Sequence, residues 1–119
     1  ASIWRYADVL LMHAEALVSG ASSTVMSAEE AVNMVRERAG MPPLGSVDLD
    51  AVLDEKYAEL AMEWGHRFYD LVRHDRGVEE LDHEINGEQV TYQQDERYLP
   101  YPLLQLDLLP QLKDHNNNE

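Results

Sequence analysis

The sequence predicts a mainly α-helical fold: an antiparallel helical hairpin, a long third helix and an irregular C-terminal segment that includes a short β-hairpin. Three observations predict it. Apolar residues recur at steps of three and four over residues 3–18, 28–39 and 53–71, the period of one helix face. Gly20 and the Gly40, Pro42, Pro43 cluster interrupt that pattern twice. From Asp82 onward the period is lost, and Asn86-Gly87 favours a tight hairpin turn.

The first helix is expected from about Ser2 to Ser19. Ile3, Tyr6, Ala7, Leu10, Leu11, Ala14, Leu17 and Val18 form a wide apolar arc, with Arg5, Asp8, Met12, Glu15 and Ser19 opposite. Gly20 stands where a left-handed C-terminal cap belongs. Ser27, with Glu30 three residues on, has the spacing of a capping box and opens the second helix. Its stripe of Ala28, Ala31, Val32, Val35 and Ala39 is small enough for close approach to a neighbour, and the short linker makes an antiparallel pair. That narrow stripe leaves part of the first helix's arc uncovered, which predicts a homodimer of this chain through the first helix.

Asp48 and Asp50 are alternative N-caps of the third helix, which is expected to reach Arg76-Gly77. Leu53, Tyr57, Leu60, Ala61, Trp64, Phe68 and Leu71 share one side, which must be buried. Gly65 costs about 1 kcal/mol relative to Ala, but the stripe keeps its phase, so a bend is expected there. His83-Glu84-Ile85 and Glu88 to Tyr92 flank the Asn86-Gly87 turn. Leu99 to Pro102 is extended, and Leu103, Leu104, Leu106, Leu108 and Leu109 supply apolar anchors in a short helical turn.

At 119 residues the chain fits one domain. Its formal charge of -14 argues against nucleic acid or an anionic membrane surface, since both require clustered Lys and Arg. The basic residues, seven Arg and two Lys, lie in or beside the helical patterns and read as partners for carboxylates. There is no cysteine, and no apolar run approaches a membrane span of roughly 18 to 20 residues. The chain opens in mid-pattern without an initiating Met, which reads as a piece of a longer protein.

The central charges read as structural ion pairs formed by Arg5, Asp8, Glu15, Glu63, Arg67, Asp70 and Arg73. Glu63 and Arg67 are spaced i,i+4, and Asp70 is within helical reach of His66, Arg67, Arg73 and His74. Arg67 is expected to be largely buried against Asp8, Glu15, Glu63 or Asp70. Glu63-x-x-His66 and Glu80-x-x-His83 have the spacing that di-iron bundles use. Such a site needs two such motifs on long facing helices, so no metal site is expected. Tyr6, Tyr57, Trp64 and Phe68 lie on apolar stripes and read as core, leaving Tyr92 and Tyr98 as the candidates for stacking on a ligand. No catalytic arrangement or phosphate loop is present, so the chain does not read as an enzyme and no cofactor is expected.

Three blocks carry a resemblance to a known family. Arg5 to Ala16 reads R-Y-A-D-V-L-L-M-H-A-E-A, with His13 where an aromatic is common. Val35 to Gly40 reads V-R-E-R-A-G. Glu55 to Arg73 follows E-R-x-x-E-L-A-x-E-G-x-R-x-x-D-L-x-R, with Lys56 in place of the first arginine, and Pro100-Tyr101-Pro102 stands where P-I-P is usual. These blocks resemble the C-terminal portion of the SusD/RagB family, the glycan-binding outer-membrane lipoproteins.

The resemblance implies helical pairs of tetratricopeptide-like type, with residues 1–119 forming a single C-terminal SusD/RagB-like domain. It also implies capture of an oligosaccharide or other nutrient by the full-length protein. The partner would be a TonB-dependent, SusC-like transporter, at a surface reached through a lipid anchor on an N-terminus outside this sequence. The alternative is a helical protein-interaction module without ligand binding.

Overall fold

A computed structural model describes residues 4–63 and 65–115. The fold is mainly helical, with a two-stranded antiparallel hairpin, and divides into two compact units, Ala1–Asp70 and Leu71–Glu119.

The first unit is built on α1 (Tyr6–Val18), α2 (Ala28–Arg38) and α3 (Leu49–Glu59). Helix α1 ends in a Schellman motif, in which Gly20 N–H donates to Leu17 O and Ala21 N–H to Ala16 O. Gly20 supplies the left-handed φ of 102° that this closure needs. Helix α2 opens on the expected capping box: Ser27 N–H donates to Glu30 at 2.7 Å, and Glu30 N–H donates to the Ser27 hydroxyl at 3.1 Å. Of the two candidate caps for α3 the structure uses Asp48, whose carboxylate accepts from Ala51 N–H at 2.9 Å.

Leu10, Leu11 and Ala14 of α1 pack with Ala31, Val32 and Val35 of α2 and Val52 of α3 in one core cluster. The arc on α1 is therefore covered more fully than its width against α2 suggests, because α3 closes over it as well. Tyr6 is the exception: it is 66% exposed on the outer side of α1 rather than core.

The third helix is not continuous. It stops at Glu59, and the chain resumes as α4 (His66–Arg73) only after a turn in which Met62 and Gly65 both have φ of 69°. Leu53, Leu60 and Leu71 are buried as expected, whereas Tyr57 on α3 (55%), Ala61 in the break and Phe68 beyond it (41%) are exposed; Trp64 lies outside the described residues.

In the second unit, α4 closes on a Schellman motif carried by Asp75 at φ 57°, followed by α5 (Gly77–Glu80). Strands β1 (His83–Ile85) and β2 (Glu88–Val90) pair antiparallel across Asn86-Gly87, both at positive φ (54° and 86°), as a type I′ turn requires. A 3-10 turn (Gln94–Arg97), helix α6 (Leu103–Leu108) and a second 3-10 turn (Pro110–His115) complete it. The expected apolar anchors are mostly on the surface: Leu106 is buried, but Leu103, Leu104, Leu108 and Leu109 are exposed. Six residues make fewer than two turns, too short for all of their leucines to face one way.

Candidate functional site

The first unit is organised by charge around α3. Its inward side carries Val52 and Leu53 and, one turn on, Glu55, Lys56 and Glu59, all nearly inaccessible at their side chains. These charges tie α3 to its neighbours. Glu55 accepts from Arg36 of α2 at 2.6 Å. Glu59 accepts from Arg38 at 2.5 Å and from Arg5, whose other guanidinium nitrogen reaches Glu63 at 2.7 Å and Glu59 O at 3.2 Å. The hydrogen bond that Arg5 donates to the Glu59 carboxylate raises the guanidinium above its ordinary pKa.

Lys56 is the centre of the arrangement. Its side chain is 4% exposed, and Nζ donates to Asp70 at 2.9 Å and to Glu15 at 3.1 Å. In the sequence Lys56 stands out only as a departure from the family pattern. A usable signal was present: Val52, Leu53, Lys56 and Leu60 follow the i,i+3 and i,i+4 steps of a buried face.

The expected ion-pair residues are thus partly regrouped. Arg5 and Glu63 pair with each other, and Glu15 and Asp70 share Lys56. Asp8 is buried in the first turn of α1. Arg67 is about a quarter exposed, with its guanidinium donating to Leu53 O at 3.3 Å, lying 3.6 Å from Asp54 and 5.1 Å from the Tyr57 ring centre. Asp54 was not among its expected partners; the break after Glu59 brings the Arg67 guanidinium back to residues 53 and 54. Arg73 in the second unit lies 3.1 Å from His74 Nε2. The two Glu-x-x-His spacings resolve into ion pairs of their glutamates, Glu63 with Arg5 and Glu80 with Arg76 at 2.8 Å. Among the described residues no cluster of three or more His, Asp or Glu is placed to hold a metal.

In the second unit the two candidate tyrosines differ sharply. Tyr92 is 8% exposed, with its N–H donating to Asp82 at 2.8 Å and its ring pressed on Gly77, where an added methyl would stand 2.5 Å from Cε1. Tyr98 is 70% exposed, with the Arg97 guanidinium 6.0 Å from its ring centre. Arg97 donates to Asp75 at 2.7 Å, and Gln94 Nε2 lies 3.5 Å from the same oxygen. An open aromatic face beside a paired guanidinium and an amide can stack on an apolar ring face and hydrogen-bond its hydroxyls.

The sequence pattern of the SusD family matches residues 1–117. The chain belongs to the SusD family. Among relatives, SusD-like protein P38 of Formosa agariphila is 37% identical over a 98-residue alignment that covers 71% of this chain and 19% of that protein. Among solved structures, surface glycan-binding protein A from Bacteroides thetaiotaomicron in complex with laminarihexaose superposes with a TM-score of 0.79 at 30% identity, covering 89% of this chain and 22% of that one. A second structure of that protein gives 0.80 at 29% identity, covering 98% and 24%. This SusD-family chain therefore spans about a fifth to a quarter of the length of the relatives it matches.

Proposed function

We propose that this chain is the C-terminal scaffold part of a non-catalytic, surface-exposed glycan-binding lipoprotein of the outer membrane, which delivers oligosaccharide to a SusC-like, TonB-dependent transporter. One observation carries the reading: the SusD family pattern runs the length of the chain, and a solved relative holds laminarihexaose. The scaffold role is supported by the chain's own geometry, since its most distinctive charged residues are spent on joining helices. Tyr98, with Arg97 and Gln94 beside it, is the position on this chain best suited to touch a sugar.

The test is a glycan array probed with the longest natural polypeptide that carries this sequence and, in parallel, with the 119-residue chain. The longer protein should capture an oligosaccharide class without hydrolysing it, and the short chain should bind at least about tenfold more weakly. Absence of glycan binding by both would overturn the reading. Micromolar binding by the short chain that is lost in Tyr98→Ala would place the sugar on this chain itself.

A further inference from the structure

The outer face of α2 combines exposed thioethers with carboxylates. Glu30, Met34, Glu37 and, past the helix end, Met41 follow one another at steps of four, three and four. With Met26 and Glu29 they line an open groove of about 730 Å³. Val25 at its end is 80% exposed, and Met34 and Met41 are 43% and 51% exposed. Both arginines of α2 turn away, Arg36 to Glu55 and Arg38 to Glu59, so every ionisable group lining the groove is a carboxylate.

The frame of this groove is tied down. Asn33 donates to Leu44 O at 2.9 Å and accepts from Leu44 N–H at 2.8 Å, while Arg36 Nε donates to Pro42 O at 2.9 Å. A fixed backbone thus carries flexible thioether side chains, a combination that lowers the ordering cost of binding while leaving the surface adaptable. Helix α2 is 11 residues long, about 16 Å, room for three turns of a second helix.

From the apolar floor and the all-acidic lining we infer that this groove docks a basic amphipathic segment of a protein partner, an apolar stripe flanked by Lys or Arg. An acidic lining repels phosphate, which disfavours nucleic acid and anionic lipid. The lining residues include no aromatic ring on which a sugar could stack. The inference goes beyond glycan capture and does not depend on it.

The protein's five methionines make the test direct. The 119-residue chain, labelled with ¹³C at its methionine methyls, is titrated with a synthetic helical peptide of about 14 residues, Leu on one face and Lys on the other. Met26, Met34 and Met41 should shift, while Met12 and Met62 stay. Glu29→Gln/Glu37→Gln and Met34→Gln/Met41→Gln should each weaken binding at least about fivefold, with circular dichroism unchanged. Glu30 is left intact because it caps α2.

Shifts of equal size at Met12 and Met62, or binding indifferent to Met34→Gln/Met41→Gln, would reduce the effect to general adsorption on an acidic surface and overturn the inference. So would a Glu-for-Lys peptide that binds equally well, or laminarihexaose shifting the same methyls when the basic peptide does not. The wild-type methyl pattern decides the matter even if a variant fails to fold.

Discussion

Lys56 and Asp70 lie fourteen residues apart in the chain and 2.9 Å apart at their charged atoms. On one unbroken helix their backbones would be separated by about 21 Å, far beyond the combined reach of the two side chains. The left-handed Met62 and Gly65 are what allow the contact, and the contact in turn gives the break a reason. Glu15, also bonded to Nζ, makes the same lysine a junction between α1, α3 and Asp70 of α4.

Removing that cation should be severe. Lys56→Met takes the ammonium away from two buried carboxylates, and a loss of about 3 to 5 kcal/mol is expected in urea unfolding. Glu37→Ala, on an exposed part of α2, should change stability by less than about 0.5 kcal/mol. A Lys56→Met variant that loses under about 1 kcal/mol would show that the carboxylates are held by other groups.

In the second unit, Gly77→Ala should cost about 1 to 3 kcal/mol, because the new methyl meets the Tyr92 ring at 2.5 to 3.1 Å. Combining it with Tyr92→Ala should cost much less than the sum of the two single changes, since the second removes the atoms with which the first collides. Strict additivity would mean that the ring moves aside freely.

With 23 acidic and 9 basic residues, self-repulsion is strong, and salt screens it over roughly 10 Å at 0.1 M and 3 Å at 1 M. The melting temperature should therefore rise with sodium chloride up to about 1 M. A flat or falling curve would mean that the internal ion pairs lose as much as the surface gains.

Glu29 sets a pH dependence of known sign. Its own backbone N–H, with the Ser27 hydroxyl adding to it, holds its carboxyl below the ordinary 4.5. A depressed carboxylate stabilises the fold above its unfolded pKa and loses that contribution as pH falls through the folded value. Glu29→Gln should flatten the acid limb of the stability curve below about pH 5, because it removes a contribution that is present near neutrality and already lost in acid. An acid limb as steep as the parent's would assign the slope to other groups.

Tyr6, Val9 and Met12 leave the outer side of α1 apolar, at 66%, 49% and 39% exposure. The expected homodimer would use this side rather than the covered arc. Light scattering of the 119-residue chain at about millimolar concentration should show self-association that Tyr6→Lys/Val9→Lys abolishes. A clean monomer at that concentration would count against it.

Much of the fold was legible in the sequence because its signals are local. Ser27 and Glu30, Gly20, and Asn86-Gly87 each act within a few residues, and the structure uses each as read. The break after Glu59 was hidden because its cause is not local. Gly65 alone reads as a bend, whereas the fold-back is held by Glu15 and Asp70 converging on Lys56 from distant positions. The same holds for the candidate site. The buried status of Tyr92 depends on Gly77, fifteen positions away, whereas the exposure of Tyr98 follows from its place in a polar stretch just before the extended prolines.

Neither strand of the β-hairpin buries a single residue, so backbone bonds and one turn hold it. Side chains at His83 to Ile85 and Glu88 to Val90 answer to no packing constraint, and selection on stability scarcely sees them. Substitutions there, or a longer loop in place of Asn86-Gly87, leave the helices undisturbed. A lineage adapting to a new nutrient could rewrite this projection freely, trying out surface chemistry at almost no risk to the body that carries it.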